Sequence, residues 1–155
     1  MEAVARMVDK LKAYNDTGHW VNKVVKSFEK QIVNMVTKGQ IYKGKMPDDT
    51  AIRPLDKTYP VYSSIYEMYK SQLGKYQGHV DLSLSGQFLK TFHIDYESDG
   101  FTIQAGERVA DGENITETLR FRYGEFEGLN DSNMNRLVEI VKHGLITELR
   151  KAIGL

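Results

Sequence analysis

The side chains able to do chemistry are few and scattered. There are four histidines, His19, His79, His93 and His143, and no cysteine. No two histidines fall at the close spacing of a zinc site, and the lack of cysteine excludes disulfides and thiolate chemistry. Asp95, Glu97 and Asp99 invite a calcium loop, but position twelve counted from Asp95 is Gly106 and not the glutamate that an EF-hand requires. Carboxylates at the edge of a hairpin are the better account of them. Neither Ser83 nor Ser85 sits in a glycine-flanked elbow that would pair it with His93. Gly44-Lys45 lacks the upstream glycine spacing of a phosphate loop. The tyrosines and remaining carboxylates show no recognisable spacing. The expectation is a chain without catalytic, cofactor-binding or metal-binding residues.

Charge offers one further lead. Lys23, Lys26 and Lys30 stripe one helical face, with Lys38, Lys43 and Lys45 beyond, and these are candidates for subunit contact or for facing DNA. The chain is neutral overall, with 21 basic and 21 acidic residues. Residues 1–45 hold nine Lys/Arg against four Asp/Glu, whereas 95–131 hold three against ten. A dedicated DNA binder usually shows a concentrated basic footprint, so only non-specific contact with a phosphate backbone is expected. Opposite charge at the two ends fits either two solvated faces or two complementary surfaces that identical subunits pair head to tail.

The elements that must position these residues follow from periodicity. At 155 residues the chain suits a single domain able to bury a core. No secretory signal is visible, and no run approaches the roughly 20 apolar residues of a membrane span, so no membrane partner is expected. Asn114-Ile115-Thr116 fits a glycosylation acceptor, which is discounted without a secretory route. Val4, Met7, Val8 and Leu11 give an N-terminal helix within residues 1–18, broken at Asp16-Thr17-Gly18. Val21, Val24, Val25, Phe28, Ile32, Met35 and Val36 form the stripe of a second helix over 19–38. Residues 39–60 read as a long loop, punctuated by glycine, proline and aspartate. Ser63 caps a short helix containing Ile65, Met68, Tyr69 and Leu73 and ended by Gly74, within a tyrosine-rich region suited to an interface or to a shell around a small core.

Asp81 to Phe92 then reads DLSLSGQFLKTF. Leu82, Leu84, Phe88 and Phe92 anchor a corner that turns at Ser85-Gly86, most simply as core packing. Residues 93–105 alternate about Ser98-Asp99-Gly100 as a β-hairpin, and 106–114 read as a polar loop. Residues 115–123 fit either a third strand or a helix, with helical spacing preferred. A final helix, capped by Asn130 or Asp131, carries Met134, Leu137, Val138, Val141, Leu145, Leu149 and Ala152 as one stripe. Gly144 within it invites close approach by another element. The fold class is therefore α+β: a small antiparallel sheet packed with long amphipathic helices near both ends. One hairpin is too small a sheet to stand alone, so a third strand or a neighbouring subunit would complete it.

The order of elements resembles that of tailed-phage head–tail joining and tail-completion proteins, often grouped as virion morphogenesis or minor tail proteins. The resemblance rests on Arg53-Pro54-Leu55-Asp56-Lys57-Thr58, on Leu82 to Phe92 with its Ser-Gly turn, on the hairpin, and on Phe121 to Asp131 leading into the last helix. It spans 20–153. The Tyr62–Gln77 helix lengthens one gap, and a His-x-Phe-Gly pattern of the family is reduced to Arg122-Tyr123-Gly124. The resemblance implies a structural virion subunit without a catalytic centre or cofactor, assembled in the host cytoplasm. It would form a ring of roughly six or twelve copies and meet portal or adaptor and tail proteins. The alternative is a nucleic-acid-associated accessory protein using the lysine face.

Overall fold

The computed structural model describes residues 17–153, so the stripe at Val4 to Leu11 lies outside the described residues. Helices α1 (Thr17–Ser27) and α2 (Glu29–Thr37) come first. After a long connection, α3 (Ser64–Gln72) follows. Strands β1 (Phe92–Tyr96) and β2 (Phe101–Ala105) form an antiparallel hairpin with Ile94 opposite Ile103. A second, two-residue hairpin joins β3 (Val109–Ala110) to β4 (Glu113–Asn114). Helices α4 (Ile115–Tyr123) and α5 (Asp131–Ile153) complete an α+β arrangement.

Several boundaries differ from expectation for identifiable reasons. Thr17 and Gly18 are already helical and do not break the chain. The helix expected over 19–38 is two helices, because Phe28 leaves helical geometry at φ −117° and ψ 12°. The Ser27 hydroxyl donates back to the Lys23 carbonyl at 3.1 Å, a bond that competes with the helical ladder. Phe28 is consequently exposed, while Val24, Val25, Ile32, Met35 and Val36 keep the buried stripe. Residues 115–123 are helical, with the Asn114 side chain accepting from the Glu117 amide, so no third strand extends the hairpin there. The polar loop at 106–114 folds back through Asp111-Gly112, both at positive φ, the geometry that matches the twist of a two-residue hairpin.

The core has two parts. Val36, Ile41, Ile52, Val80, Leu82, Phe88, Phe92, Ala105, Tyr123 and Phe126 form one cluster, and Val25, Ile32, Ile94 and Leu137 form the other. The long connection is thus not peripheral: Ile41 and Ile52 are buried, and the Ile52 amide donates to the Gly44 carbonyl at 2.9 Å. Gly144 permits the crossing of α1 over α5, since a β-carbon there would overlap the Val24 side chain.

Candidate functional site

The corner segment sits beside a cavity of about 490 Å³. Leu82, Leu84, Ser85, Gly86 and Phe88 form one wall, α4 contributes Ile115, Thr118, Leu119, Arg122 and Tyr123, and Tyr62 and Tyr66 stand opposite. Leu82 takes a left-handed φ of 47° and Gly86 one of 74°, so the chain turns twice within five residues and is not the short extended piece expected at Leu82 and Leu84. The Ser85 hydroxyl accepts from the Gln87 amide at 3.3 Å, leading into the turn Phe88–Thr91. Phe88 then stacks edge-on against Phe92 and Phe126, at centroid distances of 5.6 and 5.7 Å. Leu82, Phe88 and Phe92 are core residues as expected, whereas Leu84 is only half-buried and faces the cavity.

Buried polar ties hold this frame. Lys70 Nζ donates to Asp81 Oδ1 at 2.5 Å, and both side chains are almost wholly buried. The same oxygen accepts from the Ser83 amide at 3.0 Å and from the Tyr62 hydroxyl at 3.3 Å. This pair orients α3: Lys70 points inward, while Ile65, Met68, Tyr69 and Leu73 are exposed. Burial pushes the phenols of Tyr62, Tyr66 and Tyr123 above their ordinary value. Arg122 donates to the Pro60 carbonyl at 3.2 Å and lies near the rings of Tyr59 and Tyr123. Its main-chain carbonyl accepts from the Leu55 amide, which pins the 55–61 segment over α4. Elsewhere, Gln40 bridges α2 to the start of α5, donating to the Gly128 carbonyl and accepting from the Asn130 amide, each at 2.9 Å.

A second feature runs between β2 and α5. Phe101, Ile103, Leu129, Met134, Leu137, Val138, Val141, Leu145 and Ile146 line an open apolar groove. Of the stripe expected on the last helix, only Leu137 is fully buried; Met134 and Val138 remain 45% and 54% exposed. The edge of β2 borders this groove. The Glu97 amide donates to Gly100 and the Gly106 amide to Thr91, so alternation turns the main-chain groups of Phe101, Ile103 and Ala105 away from β1. The Ala105 amide meets Glu127 Oε1 at 3.4 Å, and that oxygen also accepts from Arg120 Nε at 2.9 Å. Past Ala105, no described strand pairs with this edge.

The lysine candidates do not form one surface of like purpose. Lys23 is held by Glu148 at 2.5 Å. Lys26 lies 5.7 Å from the Tyr96 ring centroid, and Lys45 donates to the Asp49 carbonyl at 2.9 Å. Lys30 and Lys43 are exposed, and Lys30 borders a polar recess with Arg136. Sequence reasoning missed the Lys70–Asp81 pair, the Gln40 bridge and the cavity arginines. Among the described residues no group of His, Asp and Glu is placed to hold a metal ion. Neither a protein-family model nor any curated protein or solved structure matches the chain.

Proposed function

We propose that the chain is a structural subunit of a tailed-phage particle, a ring-forming neck or tail-completion protein that works by shape and not by turnover. The observation that carries this reading is the groove between β2 and α5, where a helical stripe and a strand edge stay uncovered together. Exposed apolar area of this kind on a small domain favours docking of another chain. A distinct apolar surface is formed by Leu55, Tyr59 and Phe121, with Phe121 87% exposed. Two unlike faces on one subunit are what a head-to-tail contact uses, and such a contact closes into a ring when its rotation allows. The order of the Pro-Leu segment, Ser-Gly corner, hairpin and final helix supports a place at the head–tail junction. A second copy is the occupant proposed for the groove, with portal or adaptor and tail proteins above and below.

Protein composition of purified particles tests the virion assignment. A symmetric copy number, roughly six or twelve, is expected. Presence in infected-cell lysate with absence from purified particles would overturn it. The nucleic-acid alternative is favoured only by exposed Lys30 beside Arg136. It expects duplex binding that falls steeply with salt and is lost on Lys26→Glu with Lys30→Glu.

A further inference from the structure

We infer that the cavity behind the Ser85-Gly86 corner binds a small organic anion, an apolar body carrying one carboxylate or phosphate group. This goes beyond the assembly reading and uses a different part of the molecule from the β2–α5 groove.

The lining is one-sided in charge. Arg108 and Arg122 both line the cavity and no carboxylate does, in a chain whose acidic and basic residues are equal in number. Arg108 is half-buried, lies in the most acidic part of the sequence, and makes no side-chain hydrogen bond or ion pair with any described residue. An arginine so placed ordinarily finds a carboxylate, because a guanidinium withdrawn from water costs free energy unless it is paired. The Nε of Arg122 is likewise buried without an acceptor. Tyr66 and Thr118 line the same space, and their hydroxyls can donate to an anion. The remaining wall is aliphatic and aromatic, and the volume of about 490 Å³ lies within the range of small-molecule sites. An apolar body therefore packs against the corner and α4 while its anionic head meets Arg108.

Calorimetric and amide NMR titrations of the full chain with 1-naphthoate, 1-naphthyl phosphate and neutral 1-naphthalenemethanol test this. One of the two anions is expected to bind at one-to-one stoichiometry, shifting the amides of Ser85, Gly86 and Thr118. The tighter of the two identifies the head group. The neutral probe and the Arg108→Gln variant should each bind about tenfold more weakly, the worth of one charge-assisted hydrogen bond. Arg108→Gln should leave thermal unfolding unchanged, separating lost recognition from lost structure. Equal affinity for the neutral probe, unaltered affinity in Arg108→Gln, shifts confined to β2 and α5, or no binding of either anion would overturn the inference. None of these outcomes bears on subunit assembly.

Discussion

Helices α2 and α5 carry the same kind of amphipathic stripe and meet different fates. In α2, Ile32 and Val36 are completely buried, closed in by β1, α1 and the long connection. In α5 the stripe reaches α1 and α2 only along one side, and Val138 and Met134 stay open. Periodicity fixes which face of a helix is apolar, but only tertiary partners decide whether that face is closed within the chain. The difference separates residues that stabilise the subunit from residues left over for contact.

Substitutions can break or sharpen this contrast. The largest loss is expected at the buried ion pair, where Asp81→Asn leaves Lys70 uncompensated and should cost about 3–5 kcal/mol in denaturant unfolding. On the stripes themselves, Ile32→Ala should cost about 2–5 kcal/mol, whereas Val138→Ala should stay within about 0.5 kcal/mol for the monomer. Equal losses at the two positions would mean that α5 is as closed as α2. At the crossing of α1 and α5, Gly144→Ala forces a β-carbon against Val24 and should cost about 1–3 kcal/mol, read as a lower unfolding midpoint. The smallest effect is expected at Glu148, whose carboxyl is held below its ordinary 4.5 by hydrogen bonds from Lys23 and Lys151. A depressed carboxylate pKa contributes stability that is present above the unfolded value and lost as pH falls through the folded one. Glu148→Gln should therefore lower stability slightly near neutrality and flatten the stability–pH curve below about pH 4.5, where the variant and the parent converge.

Much of the scaffold was legible in the sequence. The Ser98-Asp99-Gly100 turn gave the β1–β2 hairpin, Ser63 and Asn130 cap their helices, and Gly144 marks a close crossing. The Asp111-Gly112 turn carries a readable hairpin signal within a segment whose polarity reads as loop. The orientation of α3 was not legible. Its apolar residues have proper helical spacing, yet burial is set by Lys70 finding Asp81 eleven residues away in another segment. The break at Phe28 was hidden for a similar reason, since a single serine back-bond and one main-chain angle outweigh an unbroken stripe. Nor could the cavity be read in advance. Arg108 lies in the connection before β3 and Arg122 on α4, and no spacing in the sequence connects them.

The most direct test is the solution mass of the full chain over a concentration series, set beside that of a Val138→Asp, Ile146→Asp double variant. If the groove is the contact between copies, the unaltered chain should form a closed assembly at an integral multiple of its monomer mass, and the folded double variant should remain a monomer. An unaltered chain that stays monomeric at every concentration, or a double variant that assembles as well as its parent, would contradict it.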